Sequence, residues 1–144
     1  MSKCRGEMET IRNATTMLLV EDNPADVFFV RAALEHEGIE SEILVANDGE
    51  KAIQFVEAAE ANPAAPCPQL VLLDLNLPRT SGTDVLRRLR RSSRCADVPV
   101  IVVTSSDAPS DREETASLGA SRYFLKPQNI DEYMKLGSIV KEVL

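Results

Sequence analysis

Glu21, Asp22, Asp74, Thr104 and Lys126 each close a run of apolar residues that are mostly Leu or β-branched. The runs are Leu19-Val20-Glu21-Asp22-Asn23, Leu72-Leu73-Asp74-Leu75-Asn76-Leu77-Pro78, Val102-Val103-Thr104-Ser105 and Phe124-Leu125-Lys126-Pro127. Buried parallel strands deliver side chains to their C-terminal edge in this way, and in open α/β sheets that edge is where ligands bind. Three carboxylates at one edge are costly unless a cation neutralises them. Oxygen donors with no Cys or His beside them suit Mg²⁺, which takes one or two protein carboxylates and completes its shell with water and phosphate oxygens. Lys126 and Thr104 bring a compact cation and a hydroxyl to the same point. A carboxylate nucleophile, a metal, a lysine and a hydroxyl are the parts needed to receive a phosphoryl group. The sequence holds no P-loop and no dinucleotide glycine fingerprint, so the donor must bring its own phosphate.

The elements that position these residues follow from periodicity and punctuation. Thr16–Val20 reads as a strand, after which Asn23 caps a helix with Pro24 in its first turn and Val27, Val30, Arg31 and Leu34 on one face, running up to Gly38. Ile43–Ala46 is a second strand, and Asp48-Gly49 turns into a helix carrying Ala52, Ile53 and Val56. The Asn62–Pro68 stretch, with three prolines, is a loop. Gln69–Asp74, Val98–Thr104 and Ser121–Leu125 supply three further strands, separated by helices over Thr83–Arg91 and Ser110–Leu118, the latter ended by Gly119. Asn129 caps one final helix with Ile130, Tyr133, Met134, Leu136, Ile139 and Val140 on its apolar face. Five strands alternating with five helices predict a flavodoxin-like, doubly wound parallel (βα)5 sheet. Residues 1–14 read as a polar N-terminal extension and 15–144 as the domain.

Composition narrows the function classes. At 144 residues the chain fits one domain. A formal charge of −7 and a pI near 4.8 disfavour nucleic acid as a partner. Lys3, Arg5, Glu7, Glu9 and Arg12 interrupt any signal-peptide core, and no stretch approaches a membrane span, so no membrane partner is expected. Cys4, Cys67 and Cys95 are widely spaced and odd in number, which predicts free thiols in a reducing compartment and a cytoplasmic protein. The cluster Arg87, Arg88, Arg90, Arg91 and Arg94 reads as a solvated helix face rather than a dock for an acidic partner. His36 has no second histidine with which to hold a metal.

From about residue 15 to the end, the chain resembles the receiver domain of two-component response regulators. The strand-end residues, the Leu77-Pro78…Gly82 stretch, Asp48-Gly49…Ala52 and Gly119-Ala120 all match in order. The resemblance implies a phosphoprotein of signal transduction in which Asp74 accepts a phosphoryl group from a sensor histidine kinase. It implies Mg²⁺ held by Asp22, Asp74 and the backbone carbonyl of Asn76, with Glu21 acting through a metal-bound water. Lys126 and Thr104 would hold phosphoryl oxygens, and Tyr123 falls on the family's switch aromatic, which turns inward as Thr104 moves. The opening Leu19–Pro24, the proline-bearing loop, the Asp74–Pro78 run and the missing output module are similar to the short stand-alone regulators served by bacterial phytochrome kinases. Downstream, the resemblance implies a protein partner or a phosphotransfer protein in a phosphorelay. A homodimer contact through Tyr133, Met134, Val143 and Leu144 is a further expectation. Gln128 departs from the aromatic or apolar residue that many receivers place after Lys-Pro.

Two rival classes share parts of this pattern. A phosphohydrolase with an aspartate nucleophile would need a general acid and base two residues after Asp74, where this chain has Asn76. A receiver-like adaptor working without phosphorylation would not need all five site residues. The reading is therefore a phosphoacceptor signalling protein and not an enzyme, limited to self-phosphorylation and autodephosphorylation.

Overall fold

The computed structural model describes residues 15–144. The expected polar extension over 1–14, and Cys4 within it, lie outside the described residues. Among the described residues five strands are present: β1 (Thr15–Val20), β2 (Ser41–Ala46), β3 (Leu70–Leu73), β4 (Val100–Thr104) and β5 (Arg122–Leu125). All pair in parallel in the order β2-β1-β3-β4-β5. The expected flavodoxin-like sheet is the one observed, and its strand order reverses between β1 and β3, where the crevice for a ligand opens.

Alternation along each strand builds two cores. Leu18, Val20, Val71, Leu73, Val100 and Val102 face one side and pack against α2 (Gly49–Ala61) and α3 (Gly82–Arg90). Met17, Leu19, Leu70, Leu72, Ile101 and Val103 face the other and pack against α1 (Pro24–His36) and the C-terminal helices. Burial on both faces is why these strands read as continuous apolar runs. Ala33 joins Val30 and Leu34 in the buried stripe of α1, while Arg31, expected on that face, is exposed.

Three expectations are overturned. The final helix is two: α5 (Ile130–Tyr133) and α6 (Lys135–Val143) meet at Met134, giving, with α4 (Pro109–Ser117), six helices among the described residues. A tight turn from the Met134 carbonyl to the Gly137 amide marks the break. Gly137 lies against α1 so closely that a Cβ there would sit 2.4 Å from the Ala33 carbonyl oxygen. This redirection also buries Tyr133, which is 2% exposed and so unavailable for the expected dimer contact.

The second concerns the thiols. Cys67, in the proline loop, and Cys95, between α3 and β4, form a disulfide with Cα atoms 5.6 Å apart. Twenty-eight residues separate them in sequence, and only tertiary folding brings them together.

The third concerns the arginines. Arg90 donates to the carbonyls of Ala96, Val98, Leu118 and Gly119, and Arg94 to those of Ala59, Asn62 and Ala65. Arg88 forms a two-pronged pair with Glu60, which holds that carboxyl down at about 2, and Arg87 pairs with Asp84 and Glu114. The guanidinium groups of Arg88, Arg90 and Arg94 serve here as staples between loops and helices, whereas Arg91 stays on an exposed face as expected.

Candidate functional site

Glu21 and Asp22 leave the end of β1, and Asp74 leaves the end of β3. The ladder continues into both: the Glu21 amide donates to the Ala46 carbonyl and the Asp74 amide to the Val20 carbonyl. Thr104 is the last residue of β4, and its carbonyl accepts from the Lys126 amide just past β5. The parallel register thus brings four strand ends to one edge. Gly82 closes the floor beneath Asp74, because a Cβ at that position would lie 2.1 Å from the Asp74 carbonyl oxygen.

The crevice has a volume of about 630 Å³ and is lined by Glu21, Asp22, Asn23, Asp26, Asp74, Asn76, Ser105, Leu125, Lys126, Pro127 and Gln128. Carboxylate oxygens of Glu21, Asp22 and Asp74 lie within 4.8 Å of one another. Asp22 is exposed, whereas Glu21 and Asp74 are buried. Lys126 Nζ lies 2.9 Å from Glu21 Oε1 and 3.3 Å from Asp74 Oδ2. Burial pushes the Glu21 carboxyl up to about 7; the Lys126 hydrogen bond opposes this and the Asp74 charge adds to it. For Lys126, burial favours the neutral amine, but the hydrogen bonds from its ammonium to Glu21 and Asp26 outweigh this and raise its pKa.

One ammonium cannot balance three neighbouring carboxylates. The donor set is all oxygen, one member is open to solvent, and Asn76 lines the same crevice. That chemistry fits a hard divalent cation.

Thr104 is fully buried, at 0% exposure, and its Oγ1 accepts from the Ser106 amide at 3.3 Å. Tyr123 is half-buried, and its hydroxyl donates to the Ser106 carbonyl at 2.7 Å. Ser106 therefore joins the hydroxyl and the aromatic ring, a link that spacing in the sequence does not reveal. Ser106 also donates its own hydroxyl to Asp111 of α4, and Arg112 stacks 4.3 Å over the Tyr123 ring. Thr115 is the only buried residue of α4, which is otherwise held by polar contacts, so this helix is the least firmly packed of the long ones.

Glu21, Asp22, Asp74, Lys126 and Asn76 line the crevice; Thr104 ends its strand at the same edge, but its side chain is buried and turned to Ser106. Two participants were not predicted in these roles. Asp26 Oδ2 accepts from Lys126 Nζ at 3.0 Å, and Asp26 Oδ1 accepts from the Tyr133 hydroxyl at 3.0 Å. The available signal was an acid in the first turn of α1, but its partner lies 100 residues away.

The profile of the response regulator receiver domain matches residues 17–136. The chain belongs to this family. This receiver is 31% identical over 137 residues to the probable methanogenesis regulatory protein FilR2 of Methanothrix harundinacea, covering 95% of this chain and 88% of that protein. It is 32% identical over 120 residues to the response regulator Rcp1 of Synechocystis, covering 83% and 82%. The Mn²⁺-bound form of Rcp1 superimposes with a TM-score of 0.78 at 30% identity, over 89% of this chain and 92% of that one. The phosphorylated cyanobacterial phytochrome response regulator RcpA gives 0.79 at 28% identity, over 90% and 92%. Receivers bind divalent metal, and this one presents the acidic cluster Glu21, Asp22 and Asp74 for it. Among the described residues, no helix is long and apolar enough to cross a membrane.

Proposed function

We propose that this receiver, spanning residues 15–144, accepts a phosphoryl group on Asp74 from a sensor histidine kinase and signals through a change in its protein contacts. The observation that carries this reading is the buried Asp74 carboxylate, 3.3 Å from Lys126 Nζ and within 4.8 Å of Glu21 and Asp22 oxygens, facing an open crevice. Asp22, Asp74 and the Asn76 carbonyl would hold Mg²⁺, with Glu21 acting through a bound water. When present, the ion supplies neutralisation of charge on the transferring phosphoryl oxygens.

In the transfer, an Asp74 carboxylate oxygen attacks phosphorus in line. The phosphorus–nitrogen bond of the donor phosphohistidine breaks as the carboxyl–phosphorus bond forms, and the departing imidazole takes a proton from solvent. Lys126 turns one ammonium donor from Asp74 to a phosphoryl oxygen, and Thr104 offers its hydroxyl to another. Rotation of the Thr104 side chain toward the phosphoryl group carries its Oγ1 away from the Ser106 amide. Ser106 then moves, releasing the Tyr123 hydroxyl and shifting the α4 contacts at Asp111 and Arg112. Tyr123 is the switch, and the bistable element is the Thr104–Ser106–Tyr123 chain.

Similarity to RcpA, a phytochrome response regulator, supports a phytochrome-type kinase as the partner. The downstream receiver of the signal is a protein or a phosphotransfer partner. Exposed Leu125, Ile130 and Leu144 offer apolar surface to a second copy. Asn76 in place of a second Asp leaves no acid and base for turnover of an external phosphoester.

The test is intact-protein mass after incubation with acetyl phosphate, with Mg²⁺ or with EDTA, for wild type and Asp74→Asn. A gain of about 80 Da, one phosphoryl group, seen only in wild type with Mg²⁺ is the expected result. Equal labelling of Asp74→Asn refutes the assignment.

A further inference from the structure

Lys126 has three N–H donors, and three carboxylates stand within reach of them. The contacts to Glu21 (2.9 Å) and Asp26 (3.0 Å) are shorter than that to Asp74 (3.3 Å). Asp26 is itself immobilised, because its other oxygen accepts from the Tyr133 hydroxyl. Tyr133 in turn cannot swing: it is buried, and its ring packs 5.3 Å from Phe29 and 5.9 Å from Phe124. A locked aromatic thus anchors a carboxylate, and that carboxylate anchors the lysine from the α1 side.

We infer that Asp26, fixed by Tyr133, is a positioning residue that holds the Lys126 ammonium poised beside Asp74 instead of collapsed onto it. The inference rests on the reading of Asp74 as phosphoacceptor. Two short contacts, to Glu21 and Asp26, act as a pivot. The third donor is then the one that transfers from Asp74 Oδ2 to an incoming phosphoryl oxygen, and the ammonium need not be repositioned during the reaction. Preorganised charge of this kind costs no rearrangement at the moment of transfer. Without Asp26 the ammonium is free to pair more tightly with the nucleophile, which draws electron density from the attacking oxygen.

The test uses the full chain with Asp26→Asn, Tyr133→Phe and the double variant. The first readout is the ¹H–¹⁵N ammonium resonance of Lys126, observable only when its protons are held against exchange with water. It is expected in wild type and lost in Asp26→Asn. The second is the initial rate of labelling by acetyl phosphate at saturating Mg²⁺. Loss of one charge-assisted hydrogen bond is expected to slow it about tenfold in Asp26→Asn, and about threefold in Tyr133→Phe, where the carboxylate stays but its anchor is gone. Mn²⁺ affinity, followed by electron paramagnetic resonance of the free ion, sets the Mg²⁺ concentration that saturates each variant, so that a change in metal binding is not read as a change in labelling rate.

The double variant should be no slower than Asp26→Asn, because the tyrosine acts only through the carboxylate. Multiplying effects would mean separate structural roles and would overturn the inference. So would an Asp26→Asn protein that keeps the resonance and labels within twofold of wild type. Asp74→Asn run alongside separates the two readings: if it labels like wild type, the phosphoacceptor assignment fails, while the resonance still decides the role of Asp26.

Discussion

Reduction of the Cys67–Cys95 bond should lower stability substantially while leaving the phosphorylation chemistry intact. The bond closes a loop across 28 residues, and the chain-entropy relation assigns such a loop about 12 cal/mol/K in the unfolded state, or ~3.6 kcal/mol at 25 °C. For a domain of this size that corresponds to a fall in Tm of roughly 10–15 °C. The folded state should change little, because other contacts tie the same segments together. Arg94 donates to the carbonyls of Ala59, Asn62 and Ala65, and the Ser93 amide donates to Glu60. The effect therefore acts through the unfolded ensemble. The bond also sits before β3, at the end of the strand opposite Asp74, so labelling by acetyl phosphate should stay within about twofold, as expected for sites sharing no contacts. The assay is urea unfolding followed by far-ultraviolet circular dichroism, since the chain has no tryptophan, with and without a phosphine reductant. Cys67→Ser serves as a second, reductant-independent arm. A loss below about 1 kcal/mol in both arms would refute the entropic account, and a changed labelling rate would refute the separation of staple from site.

Three other outcomes are expected. Without metal, the raised Glu21 carboxyl makes stability fall as pH rises from about 4.5 to about 7: folding favours the protonated group, so that contribution is complete below the unfolded value and lost above the folded one. Unfolding titrations in EDTA should show this slope and Glu21→Gln should remove it; a flat wild-type profile would contradict the burial argument. Thr104→Ala should still be labelled but should lose the phosphorylation-dependent shift of the Tyr123 ring resonances, because the Ser106 amide no longer has a hydroxyl to leave. Unaltered ring shifts would remove Thr104 from the switch. Gly137→Ala should cost about 1–3 kcal/mol, as expected for overpacking, since its Cβ would meet the Ala33 carbonyl; a neutral result in urea unfolding would show that α6 can move away from α1.

The sheet, the first four helices to within a few residues, and the strand-end residues at its edge were legible in the sequence. Those features are local: apolar runs specify strands, caps and prolines mark the helix starts, and a parallel sheet sends every strand end to the same side. The identity of Asp74 and Lys126 as neighbours was legible because register and topology leave no other place for them. Tertiary structure alone decided the rest. Cys67 meets Cys95, Asp26 meets Lys126 and Tyr133, and Arg90 and Arg94 meet distant carbonyls, because contacts between residues 28 to 107 positions apart depend on how layers pack. The break at Met134 belongs with these. Helical periodicity continues through it, and the close approach of Gly137 to α1 redirects the chain, burying the tyrosine that was expected at a dimer contact.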